Sequence, residues 1–214
     1  MSLPFTVERF LGVFEAYNRA VWPAQILLYS AGIGLVILGY RGRAGASRPI
    51  AFGLALLWAW MGGVYHLGFF RDINPAAVVF GIAFLLQAVL FIIWGLTARS
   101  DHRGTVTGMR AWLGGSLIAY ALVAYPLLGW WLGHRYPASP TFGVPCPTTI
   151  LTLGLFVWVR TRWWLLVVPI AWVLVGTSAA LALGMREDLG LLAAGIAAVV
   201  WLRSRRAAGT TATA

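Results

Sequence analysis

The chain's single cysteine, Cys146, stands between two prolines in the stretch TFGVPCPTTI, and two hydroxyls, Thr148 and Thr149, follow it. Thiolate and imidazole together suit soft or borderline ions such as Cu(I) and Zn(II). An imidazole at comparable depth is His66, in the stretch GGVYHLGFFRDINPAA. Asp72 and His134 are the carboxylate and second imidazole that would complete or gate such a set. The expected metal ligands are therefore Cys146, His66, Asp72 and His134, and the expected ligand is a Cu or Zn ion or another small solute. Thr148, Thr149, Tyr65, Asn74 and Gln87 are expected to line the same pocket. A lone Cys with a lone His is a much weaker metal pattern than a paired CxxC motif.

Each of these residues also has a plainer reading. Cys146 can be a small buried hydrophobe beside a kink. His66 can be a packed core residue, and Gln87 a bond between helices. Arg71 and Asp72 form an adjacent opposite-charge pair, and Asn74-Pro75 looks like the cap and first residue of a helix. His134 can be a solvated loop residue. His102 falls in a basic loop far from the others.

Other chemistries remain open from the same residues. Cys146 with His66 as its base would make a thiol-dependent intramembrane enzyme acting on a lipid or thiol substrate. His66 as an axial ligand would make a haem or quinone protein. A structural or assembly subunit would need none of these groups. Lysine is absent from the sequence, which excludes a Schiff base. One cysteine excludes an intrachain disulfide and any multi-cysteine metal cage.

The elements that must position these residues follow from composition. Of 214 residues, 60% are hydrophobic and 10% charged, against about 25% charged in a soluble domain. Apolar runs separated by short polar breaks predict an all-α membrane protein with seven transmembrane helices. The expected spans are 20–40, 49–70, 75–97, 111–133, 147–159, 163–184 and 189–202. The fifth is short, only about 20 Å of helix against a hydrocarbon core of about 30 Å. If Arg160 marks one boundary, Cys146 starts this broken helix about 10 Å inside the other. Irregular backbone at such depth is tolerated only where protein or water surrounds it, and broken helices often form solute sites in transporters.

Charge sets the expected orientation. The breaks RGRAGASR, ARSDHRGTVTGMR and RTR and the RSRR tail hold 11 Arg and one acid. The remaining breaks hold 5 Arg and 5 acids. The positive-inside rule then puts the N-terminus outside and the C-terminus in the cytoplasm. The net charge of +10 is thus an orientation signal, and nucleic acid is not an expected partner. No cleaved signal peptide is read at the N-terminus. Residues 1–19 contain an amphipathic helix expected to lie on the outer surface, as an anchor or as a lid. The seven-helix domain is expected over 20–204 and a disordered cytoplasmic tail over 205–214. The bilayer is the first expected partner, and a second copy of the chain is a candidate.

The stretches FGVPCPTT and YHLGFFRDINPAA resemble a family of small bacterial polytopic membrane proteins of unknown function. The resemblance covers most of the chain. It implies this layout of helices and a bacterial inner membrane as the location, and it supplies no activity and no ligand.

Overall fold

The breaks in the apolar pattern become the turns of a helical bundle. The computed structural model describes residues 4–98, 104–159 and 161–211, apart from the side chains of 202 and 204–211. No strand occurs among the described residues. Helix α1 spans Val7–Val21, with the Thr6 hydroxyl capping its start and Glu8 in its first turn. Helix α2 spans Ala24–Arg41, and α3 spans Ser47–Trp60 and runs on through a π-helical segment, Met61–Phe69. Helix α4 spans Ala77–Thr97. Helix α5, Gly108–Ala119, joins α6, Tyr125–Trp131, through a π-helical turn, Tyr120–Ala124. Helices α7, α8 and α9 span Pro145–Trp158, Val167–Leu183 and Leu189–Thr211.

Five described stretches are long and apolar enough to cross a membrane: Ala24–Arg41, Ser47–Asp72, Ala77–Thr97, Gly108–Trp131 and Trp163–Leu183. The expected count of seven is corrected to five on this measure. The two that fall short are α7 and α9, for one physical reason. Helix α7 has 14 residues, about 21 Å at the α-helical rise, where a span needs about 30 Å. The apolar stretch of α9 is as brief, because Arg203 follows Leu202. Arg99, Asp101, Arg103 and Arg160, on which the charge reading partly rests, lie outside the described residues, as do His102 and the side chains of Arg205 and Arg206.

Helix α7 is the pillar of the bundle. Every residue in it except Cys146 is buried. The main apolar core gathers around it, from Leu35, Trp58 and Phe91 to Leu117, Val173 and Leu191. A short helix is affordable here because neighbouring helices, not lipid, surround its ends. Thr152 donates to the Thr148 carbonyl at 2.8 Å and accepts from the Trp58 indole at 3.1 Å, so its hydroxyl is satisfied inside the core.

Small residues set the closest approach between α5 and α7. A Cβ at Gly154 would sit 2.9 Å from the Ile118 side chain and 3.0 Å from the Gly114 carbonyl oxygen. This is small-residue packing of the kind that lets membrane helices approach closely. Gly154→Ala is expected to lower stability by about 1–3 kcal/mol through overpacking. Thermal unfolding of the purified protein in detergent checks this, and an unchanged midpoint would show that α5 has room to move away.

A second, smaller apolar cluster lies at the α1 end. It joins Phe5, Val13, Phe14 and Tyr17 to Tyr65, Phe70, Val144, Ala180 and Leu183. The 132–144 connection is held to this end by a buried amide network. Asn18 donates to the Pro137 and Ser139 carbonyls at 2.6 and 2.8 Å, and accepts from Gln25 and Thr141 at 2.6 and 2.9 Å. Gly143 has φ +99, a left-handed conformation that glycine takes without strain. Its N–H donates to the Thr148 hydroxyl at 3.2 Å, which ties the incoming loop to the first turn of α7.

Candidate functional site

The chemistry-bearing groups meet where the chain enters α7 and α9. Pro145 opens α7, so Cys146 is held in its first turn. A 3-10 turn, Arg186–Asp188, leads into α9, so Asp188 immediately precedes that helix. Helix N-termini carry partial positive charge and favour a carboxylate. Tyr125 begins α6 just after the π-helical turn. Its hydroxyl donates to Asp188 Oδ1 at 2.5 Å. The Cys146 thiol faces the same carboxylate as a second donor. Burial pushes the Asp188 pKa up to about 6, with the two donors and the nearby His134 working against that rise and Glu187 adding to it.

The neighbouring acid is as deeply placed. Glu187 is fully buried, and His134 Nδ1 lies 2.6 Å from its Oε1. Its Oε2 has no hydrogen-bond partner. The Tyr120 hydroxyl donates to the Glu187 carbonyl at 2.7 Å. Two adjacent buried acids thus meet one histidine, with Tyr125 and Cys146 as donors to the Asp188 carboxylate and Tyr120 as a donor to the Glu187 main chain.

Cys146 and Asp188 also line a cavity of about 110 Å³. Its walls are apolar: Phe5, Phe10 and Phe14 from the α1 side, Tyr65 and Phe70 from the end of the second long helix, and Trp172, Gly176 and Ala180 from α8. Phe10 meets Phe14 at 4.8 Å and Phe70 at 5.9 Å between ring centres. Helix α1 therefore covers the cavity, as well as being amphipathic. Tyr17 anchors α1 by accepting from the Trp60 indole at 2.8 Å, and its burial pushes the phenol pKa to about 12. A second cavity, of about 190 Å³, lies on the other side of Tyr125, lined by Tyr29, Tyr125, Trp130, His134, Tyr136 and Thr141 among others.

The four expected metal ligands do not converge. Cys146 faces Asp188, and His134 is paired with Glu187. Asp72 is exposed beside Arg71, 4.0 Å away. His66 is fully buried in a cage of Tyr65, Phe70, Phe80, Phe84 and Trp172, with ring centres 4.8 to 5.9 Å away. Neither of its ring nitrogens has a hydrogen-bond partner. Trp172 packs against His66 on one side and meets Cys146 on another. Among the described residues, no three of His, Cys, Asp and Glu are arranged to hold a metal ion.

The expected pocket residues divide. Tyr65 and Asn74 line the α1 cavity, and Asn74 also accepts from the Ala76 N–H at 3.1 Å. Thr148 is used by the Gly143 N–H. Thr149 is buried with its hydroxyl unpartnered. Gln87 does not line the cavity and donates to the Leu165 carbonyl at 3.1 Å.

Sequence reasoning missed Asp188, Glu187 and Tyr125. The acids sit in MRED, a short break whose charges enter the sequence reading only through orientation. One signal was available: two consecutive acids beside a single Arg leave a carboxylate without a local partner. The π-helical segments, which set the direction of Tyr65, His66 and Tyr125, carry no sequence mark. Such segments occur frequently at functional sites.

No curated protein and no solved structure matches the chain. A family model does match, over residues 7–212, nearly its whole length. The chain accordingly belongs to the family of unknown function DUF6064.

Proposed function

We propose that this is an integral membrane protein that binds a small, mostly apolar solute in the cavity beneath α1, with Cys146 and Asp188 as the polar end of the site. The setting we propose is the bacterial inner membrane, with the N-terminus outside and the Arg-rich breaks in the cytoplasm, as the charge distribution favours. The observation that carries the reading is the cavity of about 110 Å³, largely aromatic and aliphatic on its walls, with the thiol and carboxylate together at one end and Asn74 and Ser178 as its other polar side chains. That volume is on the scale of a single benzene-like ring. Pockets with apolar walls and a few convergent polar groups are the usual form of small-molecule sites. A neutral ring with one hydroxyl fits it better than a Cu or Zn ion, which needs several converging donors. The thiol-dependent enzyme has less support, because a thiol facing a carboxylate is a hydrogen-bond donor and not a ready nucleophile.

Fluorine NMR of 4-fluorobenzyl alcohol, titrated into the purified protein in nanodiscs, tests this. Saturable binding is expected. Ala179, half-buried on the cavity wall, is the place to fill it. Ala179→Phe is expected to weaken binding by at least about tenfold. Linear, unsaturable partition that is equal in both proteins would overturn the proposal.

A further inference from the structure

One hydrogen bond joins the linings of the two cavities. Asp188 lines the α1 cavity, Tyr125 lines the tyrosine-rich one, and Tyr125 donates to Asp188. We propose that Asp188 is a proton-binding residue that couples solute occupancy of the α1 cavity to proton uptake from the tyrosine-lined cavity, through Tyr125. This rests on the solute site proposed above and adds its regulation.

The surroundings of Asp188 fix the sign of the coupling. Tyr125 faces it from α6 and Cys146 from the first turn of α7. Tyr65 faces it from the π-helical end of the second long helix, and Tyr120 from the π-helical turn. Glu187 is its neighbour in the same turn, and His134 stands behind Glu187. Arg186 is exposed. The groups nearest the carboxylate are thus neutral donors and another acid, and the one basic group is already paired.

A neutral ring in the α1 cavity replaces the waters at the carboxylate with at most one hydroxyl donor, a net loss of solvation. Desolvation disfavours the charged form, so the bound state prefers Asp188 protonated. The proton has a direct route. A hydronium ion in the tyrosine-lined cavity gives its proton to the phenolic oxygen while the original phenol proton passes to Oδ1. Tyr125 is neutral before and after, and one water is left behind. Since the free carboxyl titrates at about pH 6, the exchange falls within the physiological range.

The sign follows from linkage. Below pH 6 Asp188 is already protonated and binding is tightest. Above it each binding event must take up a proton, so affinity falls by up to about tenfold per pH unit. The test is the same fluorine NMR titration with 4-fluorobenzyl alcohol, repeated at several pH values. The alcohol does not titrate, so any slope belongs to the protein. Asp188→Asn is expected to bind with an affinity independent of pH. His134→Gln is expected to keep the wild-type slope, which assigns the slope to Asp188. Tyr125→Phe removes a donor to the ionised carboxylate and should move the midpoint to higher pH. Calorimetry of the wild type at pH 7, in phosphate and in Tris, gives the proton count without any variant, and about one proton taken up per alcohol is expected. Saturable binding that is flat with pH, a wild-type slope retained in Asp188→Asn, an unmoved midpoint in Tyr125→Phe, or no proton uptake would each overturn the coupling while leaving the solute site standing. No saturable binding at any pH would remove the solute site, and the coupling with it.

Discussion

Glu187→Ala is expected to destabilise the protein by about 3–5 kcal/mol, from an imidazole left without its acceptor and a cavity left by the buried side chain. Glu187 is fully buried, and its partner His134 keeps only 16% of its side-chain surface exposed. Alanine would leave the imidazole without an acceptor and open a void against Gly129, whose position lies 3.5 Å from Glu187 Oε1 when a Cβ is built there. Glu187→Gln separates charge from shape. Its amide oxygen can still accept from His134, so a loss below about 1 kcal/mol is expected, the scale of one ordinary hydrogen bond. Unfolding in mixed micelles measures both variants. If alanine costs no more than glutamine, the carboxylate contributes little and the 132–144 loop is held by the Asn18 network alone.

That loop also shows how far the sequence could be read. Helical character and the approximate limits of the five long apolar helices follow from the length of each apolar run and from the Pro, Gly and Arg residues that end it. The break before α7 is visible because Pro145 and Pro147 bracket Cys146. The number of spans is less legible, since a helix shielded by its neighbours, as α7 is, need not obey the length that lipid imposes. The partner of Cys146 was not legible at all. Depth counting orders groups along the membrane normal but says nothing of the direction each faces around its helix. His66 and Cys146 have similar depth by counting, yet Trp172 packs against both. The π-helical segment Met61–Phe69 adds to the error, because a wider turn rotates every later side chain about the axis. Asp188 faces Cys146 instead, from a turn between helices where an acid is ordinarily a solvated cap.

The burial of that acid has a consequence for the whole fold. Asp188 titrates at about 6 in the folded protein and at 3.8 as an unperturbed carboxyl. Between these values the folded state binds more protons than the unfolded state. Stability therefore falls as pH rises through this window, which is opposite to the behaviour of a salt-bridged aspartate. Below the lower value both states are protonated and there is no penalty. Above the upper value the full penalty applies, about 3 kcal/mol at 1.36 kcal/mol per pKa unit. Asp188→Asn removes this contribution, because its amide does not ionise. The difference in unfolding free energy between wild type and variant, measured from pH 4 to pH 7, is expected to drift against the wild type by that amount and then level off. The other acids and His134 are present in both proteins, so the difference isolates Asp188. A flat difference would mean that water reaches Asp188 freely in the folded state. The carboxylate would then be an ordinary solvated cap on α9, and the polar end of the α1 cavity would be the thiol alone.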